Sequence, residues 1–309
     1  MKYWVGAAAV VVIAFLTAIS GVNEYFFYAA FVVLQFMVLA TAWNILGGYA
    51  GYVNFGTAAF FAIGSYTAVV LFKWLGAPLA VQIAAAAAVS GLLGFGVGLL
   101  TLRLRGIFFA IATVAIIFIM ETMMMNWRYV GGATGLQLLR PDVLQPFASY
   151  TRMLFFVMAL LAVIAVSVAR YVQISWIGRG LRAIRDSEEA AECSGVPTLK
   201  LKLFACTVSG ALMGAAGAPM PMYLSFIEPA SSFSLNYSVS ALAMPMIGGT
   251  VHWLGPVLGA LLLGSIQQIV TVTISGEINV LVIGVLLVLF VVFAPDGVLG
   301  LFKKFVRNR

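Results

Sequence analysis

Charged side chains are scarce in this sequence: Asp, Glu, Lys and Arg make up only 9% of its 309 residues. Soluble proteins average about 25% charged residues, so a soluble globular protein is excluded. Apolar residues make up 63% of the chain. They are grouped in runs of about 17 to 23 residues, the length that crosses the roughly 30 Å hydrocarbon core of a bilayer as a helix. The sequence therefore predicts an all-α, polytopic membrane protein.

Histidine and cysteine are equally rare, which excludes several kinds of active site. His252 is the only histidine, so the chain has no two-histidine metal motif and no Ser/His/Asp set away from that residue. Cys193 lies in a polar loop and Cys206 in an apolar run, so they do not indicate a disulfide framework. No lysine follows a glycine, which excludes the phosphate-binding loop that ends in Gly-Lys-Ser/Thr. We therefore expect neither enzyme activity nor a cofactor or metal in this chain itself.

Ten apolar windows predict about ten transmembrane helices in a single domain, 1–309. The eighth window contains Asn236 and the pair Gly248 and Gly249, so we expect that span to be short, broken or re-entrant. The first window is alternatively a signal peptide, because Lys2 precedes its apolar residues and a small-x-small site ends it. The windows cover about 4–20, 26–46, 52–72, 79–101, 107–126, 153–169, 203–223, 235–250, 254–273 and 278–296.

The positive charges predict the orientation of these helices. If both termini are cytoplasmic, 13 of the 17 Lys and Arg residues lie on the cytoplasmic side, where such residues are enriched. The net charge of +7 is therefore a topology signal and does not indicate nucleic-acid binding. This distribution suits a bacterial inner membrane. The four cations expected outside are Lys73, Arg128, Arg140 and Arg152.

Glu121 is the one ionisable side chain that the windows place within the bilayer as a candidate for ion coupling. Ion-coupled carriers need such a group, because coupling requires a side chain that changes charge or coordinates an ion inside the membrane. The alternative is a structural role, in which the carboxyl group reaches interfacial water or bonds to a neighbouring helix. The residues leave both interpretations open.

The longest predicted cytoplasmic loop, 170–202, is too polar to cross a membrane. Asp186 followed three residues later by Glu189 fits a capping box, which predicts a short helix that begins near Ser187. Gly195 supplies the left-handed residue that ends such a helix. A short rigid helix between two spans is suited to contact a cytoplasmic partner and to pass its motion to the membrane helices. A solvated linker is the alternative.

The segment 178–218, GRGLRAIRDSEEAAECSGVPTLKLKLFACTVSGALMGAAGA, resembles the coupling segment of branched-chain amino acid ABC transporter permeases. In that family a Gly-Arg-x-Leu-Arg-Ala-Ile-Arg stretch leads into Glu-x-Ala-Ala and a glycine. The stretches 103–113 and 178–195 are more similar to the M-type than to the H-type of the family's two paired permeases. The resemblance covers nearly the whole chain, since other segments agree in order: ATAWNILGGYAGYVNFGTAAFFAIGSYTA (40–68), RLRGIFFAIAT (103–113), the series Glu121, Asn126, Trp127, Gly131, Gly132 and Gly135, IGGTVHWLGPVLGA (247–260) and APDGVLGLF (294–302).

The resemblance implies one subunit of an ATP-driven importer that works by alternating access. It also implies the partners: a second homologous permease, two cytoplasmic ATPase subunits that bind ATP and Mg, and a substrate-binding protein outside. Within the coupling segment, about 178–196, the residues implied to dock on an ATPase are Glu189, Ala190, Ala191 and Gly195, supported by Arg182 and Arg185. The candidate residues of a polar pathway, each alternatively a hydrogen-bonding group for helix packing, are Asn44, Asn54, Thr57, Ser65, Thr67 and Glu121.

Two other functions stay open beside a branched-chain amino acid importer. Permeases of importers for urea, short amides and aromatic acids look similar over the same motifs, and only the binding protein or neighbouring genes distinguish their cargo. A secondary transporter that uses Glu121 as its coupling group predicts transport by the purified chain alone under an ion gradient. The segment from Glu189 to Gly195 favours the importer.

Overall fold

The computed structural model describes residues 2–20, 23–104, 106–139 and 147–273, together with 281, 284–285, 288–289 and 297–300. Helices form nearly all of the regular structure in these ranges, which confirms the all-α class. They are α1 (Lys2–Ile19), α2 (Glu24–Ala50), α3 (Thr57–Leu75), α4 (Leu79–Thr101), α5 (Ile107–Met125), α6 (Tyr150–Ile174), α7 (Trp176–Asp186), α8 (Glu188–Cys193), α9 (Thr198–Gly217), α10 (Met220–Leu224), α11 (Pro229–Ser232), α12 (Leu235–Gly248) and α13 (Leu254–Thr273). Two 3-10 helices (Arg128–Val130 and Gly132–Thr134) and an antiparallel pair of strands, β1 (Leu136–Gln137) and β2 (Phe226–Ile227), complete the described elements.

Seven helical segments of the described residues are long and apolar enough to cross a membrane: α2 to α6, α13, and α9 with α10 as one stretch, Thr198–Leu224. Helix α1 is apolar but shorter. It packs against α6, where the Tyr3 hydroxyl lies 2.9 Å from that of Ser167. The tenth predicted window, 278–296, lies mostly outside the described residues.

Two predicted spans differ from a plain membrane-crossing helix. Helix α12 has only 14 residues and contains Pro245, so it reaches about 21 Å and is short, as expected for the eighth window. The third window, 52–72, was wrong at its start, because α3 begins at Thr57 and residues 51–56 are not helical. The reason is local: the side chain of Asn54 accepts a hydrogen bond from the Gly56 amide at 2.8 Å, which forms a turn in place of helix.

Contacts between helix ends agree with the predicted division of the charged residues between the two ends of the bundle. At the end predicted to be cytoplasmic, the Arg170 guanidinium lies 3.9 Å from the ring centroid of Tyr3, so the start of α1 and the end of α6 meet. On the opposite side, Arg152 forms an ion pair with Glu24 at 2.8 Å. The structure thus places the start of α1 at the same end of the bundle as α7 and α8.

The core is centred on α2, which contacts α6, α9, α12 and α13, and α4 packs closely along α9. Small residues allow the backbones of α4 and α9 to come this close. A Cβ atom added at Gly214 of α9 would lie 2.7 Å from the carbonyl oxygen of Ala86 and 2.2 Å from the hydroxyl oxygen of Ser90, both on α4. The two backbones therefore touch where no side chain intervenes, as in membrane helix pairs built on glycine.

Replacing Gly214 with alanine is expected to destabilise the bundle, because the new methyl group would overlap the backbone of α4. Overpacking of this kind costs about 1–3 kcal/mol. Gly96→Ala is the matched control, since a Cβ atom at Gly96 would meet nothing within 4 Å. Thermal unfolding of the purified proteins in detergent measures the difference, and equal midpoints for the two variants would contradict the close packing.

Candidate functional site

The predicted cytoplasmic loop folds into two helices, α7 and α8, of which only α8 was predicted. Helix α7 buries Leu181 and Ile184 against the ends of α2 and α6, while Arg182 and Arg185 on its other face are exposed. A signal for this helix was present in the sequence, because Ile177, Leu181 and Ile184 recur at the spacing of one helical face. Helix α7 holds α8 in a fixed position on the bundle.

The N-terminus of α8 is capped by Ser187, whose hydroxyl accepts a hydrogen bond from the Ala190 amide at 3.3 Å. The prediction that Asp186 begins a capping box was wrong, although the predicted start of the helix was right. Asp186 is the last residue of α7, so the first extended residue, and hence the cap, is Ser187 (φ −162°, ψ 112°).

The C-terminus of α8 is closed by Gly195, as predicted. Its φ of +80° is left-handed, a conformation that favours glycine. The Gly195 amide donates to the carbonyl of Glu192 at 2.9 Å, and the Val196 amide donates to that of Ala191 at 3.0 Å. This pair of bonds is a Schellman motif, which satisfies the last carbonyls of the helix. Helix α8 is therefore short but defined at both ends.

A buried lysine fixes α8 to the membrane helices. Lys202, on α9, is 3% exposed, and its ammonium group lies 2.6 Å from a carboxylate oxygen of Glu188, the first residue of α8. The same group donates to the carbonyl of Leu102 at 3.1 Å and to the hydroxyl of Tyr52 at 3.1 Å. Tyr52 in turn donates to the second carboxylate oxygen of Glu188. We call Tyr52, Glu188 and Lys202 the lysine cluster.

The lysine cluster connects four parts of the chain: α8, α9, the end of α4 and the segment that follows α2. A buried ion pair is sustained only where further hydrogen bonds satisfy both partners, and that condition is met here. Sequence reasoning missed this cluster. The available signal was Lys202 itself, which shares the buried face of α9 with Ala205, Cys206 and Ser209 and so calls for an acidic partner.

The residues implied to dock on an ATPase divide between an outer and an inner side. Glu189 and Ala190 are exposed on α8, whereas Ala191 is buried and packs into the bundle. Arg185 donates to the carbonyl of Gly48 at 2.8 Å, which ties α7 to α2. Arg182 bonds within its own helix, to the carbonyl of Gly178 at 3.3 Å. The exposed residues of the set are therefore Glu189 and Ala190 on α8, Gly195 at its end, and Arg182 and Arg185 on α7.

Most of the predicted pathway residues make hydrogen bonds between or within helices. Asn44 donates to the carbonyl of Thr250 at 3.1 Å, Ser65 to that of Gly217 at 2.8 Å and Thr67 to that of Ile63 at 2.7 Å. Asn54 forms the turn before α3 and accepts, at its carbonyl, the indole N–H of Trp43 at 2.7 Å. Thr57 differs, since its hydroxyl is buried and has no hydrogen-bond partner in the part of the chain that the structure describes.

Glu121 lies half-buried on α5, a helix with most of its surface exposed. It shares one face of that helix with Thr113 and Ile117, which are buried. The structure does not bring Glu121 together with Asn44, Asn54 or Thr57. No group of three His, Cys, Asp or Glu side chains that could hold a metal occurs in the part of the chain that the structure describes.

A cavity of about 270 Å³ opens beside the lysine cluster. The segment after α2 forms one wall and the start of α5 forms the other, and Tyr52 belongs to both the cavity wall and the lysine cluster. Its lining residues are Gly51, Tyr52, Val53, Gly106, Ile107 and Ala110. A much smaller cavity, about 30 Å³, lies near Ser65 and Tyr237. Helix α8 is thus connected, through the bond between Glu188 and Tyr52, to the wall of the larger cavity.

The family of branched-chain amino acid transport system permease components matches residues 25–291 of this chain. The high-affinity branched-chain amino acid transport system permease protein LivM of Salmonella typhimurium is 28% identical, over 85% of this chain and 67% of that protein. LivM of Escherichia coli K12 has the same identity and coverage. The probable branched-chain amino acid transport permease protein LivH of Methanocaldococcus jannaschii is 28% identical over 42% of this chain and 43% of that protein.

No solved structure matches the chain. The longer coverage of the two LivM proteins confirms the similarity to the M-type permeases that the stretches 103–113 and 178–195 indicated. The match to the family covers all of the described helices from α2 to α13. This chain therefore belongs to the permease components of branched-chain amino acid transport systems.

Proposed function

We propose that this chain is the transmembrane subunit of an ATP-driven importer for branched-chain or related hydrophobic amino acids, in the inner membrane of a bacterium. The observation that carries the proposal is α8: a helix capped at both ends, exposed at Glu189 and Ala190, and fixed to the membrane helices by Lys202. A helix of this kind is suited to dock on a cytoplasmic subunit and to transmit its movement.

The proposed assembly contains a second homologous permease, two ATPase subunits that bind ATP and Mg, and a binding protein outside. Family membership and the names of the LivM and LivH relatives, each a permease of a branched-chain amino acid transport system, support a divided machine of this type. The rarity of ionisable groups in the spans supports it further, since energy then has to come from another subunit.

In this proposal, closure of the ATPases moves α8, and the lysine cluster distributes the movement. Lys202 carries it to α9, its bond to the Leu102 carbonyl carries it to the end of α4, and Tyr52 carries it to the cavity wall. Packed side chains and hydrogen bonds of this kind transmit force only while they stay connected. Alternating access then follows from the two positions of α8.

Uptake by reconstituted vesicles tests the proposal. The tagged chain, purified gently with the subunits that accompany it, is expected to bring down ATPases and a second permease, identified by mass spectrometry. In vesicles that contain this complex and its binding protein, radiolabelled leucine, isoleucine or valine should accumulate only with ATP. Accumulation of urea or benzoate in their place would assign the cargo to the related importers, and a chain that purifies alone would contradict the assembly.

Glu121→Gln separates the importer from an ion-coupled carrier. If the importer is right, the variant keeps most of the transport activity at every pH, because no proton passes through this carboxyl group. A coupling group, in contrast, is required for transport, so its loss would remove the pH dependence and the uptake driven by a proton gradient. Uptake measured over a pH series, with and without ATP, distinguishes the two results.

A further inference from the structure

The start of α3 lies at membrane depth, not at the membrane surface. The carbonyl of Asn54 accepts the indole N–H of Trp43, which precedes the end of α2 by seven residues, or about 10 Å of helix. The amide of Phe55 donates to the hydroxyl of Thr113 at 3.1 Å, which lies six residues, or about 9 Å, into α5. Residues 51–56 therefore run back into the bundle from the cytoplasmic side, and α3 begins inside it.

Backbone that is not helical is tolerated at this depth only where protein or a water-filled cavity satisfies its polar groups. Here side chains from other helices accept hydrogen bonds from two of these backbone amides. The Phe55 amide is satisfied by Thr113 of α5, and the Ala58 amide donates to the hydroxyl of Ser238 of α12 at 3.1 Å. The amides of Ala59 and Phe60 donate to the carbonyl of Gly56. Within the described residues, the first turn of α3 is thus held by hydrogen bonds, except at Thr57.

The hydroxyl of Thr57 is fully buried and has no hydrogen-bond partner among the described residues. Buried hydroxyl groups in proteins are almost always paired, so an unpaired one at a helix N-terminus requires an explanation. The N-terminus of a helix carries partial positive charge, and the first turn of α3 has no acidic residue to balance it. The amides of Ala58 and Ala59 are already paired, so the donor left for a ligand is the Thr57 hydroxyl, and the positive end of the helix favours a carboxylate beside it.

We propose that the first turn of α3, at Thr57, binds the carboxylate group of the transported amino acid inside the membrane, and that the cavity at Gly51, Tyr52 and Val53 is its route to the cytoplasm. The cavity opens directly onto the segment that leads to Thr57, and its volume of about 270 Å³ is close to the lower end for small-molecule pockets.

Thr57 is covered in this structure, so the segment 51–56 has to move for a ligand to enter. Tyr52 places that movement under the control of α8. The proposal rests on the importer function proposed above.

Binding to the purified complex, without the binding protein, tests this site. Three unlabelled competitors are tested against radiolabelled leucine: leucine itself, 4-methylpentanoate and isoamylamine. Of these, 4-methylpentanoate keeps the carboxylate but lacks the amine, and isoamylamine lacks the carboxylate. In Thr57→Val, leucine and 4-methylpentanoate should both bind at least about 10-fold more weakly, the effect of one lost hydrogen bond to a charged group. The inhibition constant of isoamylamine should be the same in Thr57→Val as in the wild type. Thr57→Ser should bind leucine and 4-methylpentanoate like the wild type.

Thr41→Val is the matched control, because the Thr41 hydroxyl is also buried without a hydrogen-bond partner but lies in the middle of α2. It is expected to bind leucine and 4-methylpentanoate like the wild type. Equal binding by Thr57→Val and the wild type, equal losses in both valine variants, or no competition by 4-methylpentanoate would each overturn the assignment. The importer function itself fails separately, if the wild-type chain purifies without ATPases.

Discussion

Lys202→Met is expected to abolish ATP-driven transport and to lower the free energy of unfolding by about 3–5 kcal/mol. The variant keeps the length of the side chain but removes its charge, which leaves the mostly buried carboxylate of Glu188 without its ammonium partner. Removal of one member of a buried ion pair costs this much because the remaining charge loses its counter-ion where water solvates it poorly. The carbonyl of Leu102 also loses its donor.

Lys200→Met is the matched control for this variant. Lys200 is exposed, on the same helix and two residues earlier, so the same change of residue should leave stability and transport nearly unchanged. Denaturation of the purified complex and uptake in vesicles measure the two properties. Wild-type transport by Lys202→Met would contradict the role of the lysine cluster.

A double variant distinguishes stability from coupling. In Glu188→Gln with Lys202→Met, neither charge is left buried, so most of the lost stability should return. Transport should stay low, because the bonds from Lys202 to Leu102 and Tyr52 are not restored. Recovery of transport together with stability would show that the cluster only supports folding and does not transmit the movement of α8.

The sequence was sufficient for those parts of the fold that depend on local composition. Apolar windows predicted most of the long helices to within several residues. Short-range chemistry predicted where α8 begins and its end at Gly195, although its cap is Ser187 and not Asp186. Helix α7 was missed although its apolar residues have helical spacing. The arginines on its charged face were interpreted only as support for a contact with a partner. The helix is also short and not a membrane span, so no long apolar run marks it.

The start of α3 and the lysine cluster were beyond such reasoning for a different physical reason. Residues 51–56 continue the apolar window, and only the contacts of Asn54 and Phe55 with Trp43 and Thr113 reveal that the chain is not helical there. Lys202 and Tyr52 are 150 residues apart. A partnership over that distance is set by the packing of α2 and α9, which no pattern within one segment specifies.

Glu189→Arg is expected to abolish transport while the chain still folds and inserts into the membrane. Glu189 is exposed on α8, and Lys202 bonds to Glu188, so reversal of this charge leaves the lysine cluster in place. An interface that accepts a carboxylate rejects a guanidinium, because like charges brought together at a contact cost several kcal/mol. The ATPase subunits should therefore no longer co-purify with the variant.

Asp186→Arg provides the comparison, since Asp186 is also exposed but ends α7, and the change of charge is identical. Both variants should appear in the membrane at wild-type levels, and only Glu189→Arg should lose the ATPases. Full transport by Glu189→Arg would remove α8 from the proposed docking surface. Loss of the ATPases with an intact lysine cluster would instead separate the two roles of this helix: its exposed side selects the partner, and its buried side, through Glu188, passes the movement on.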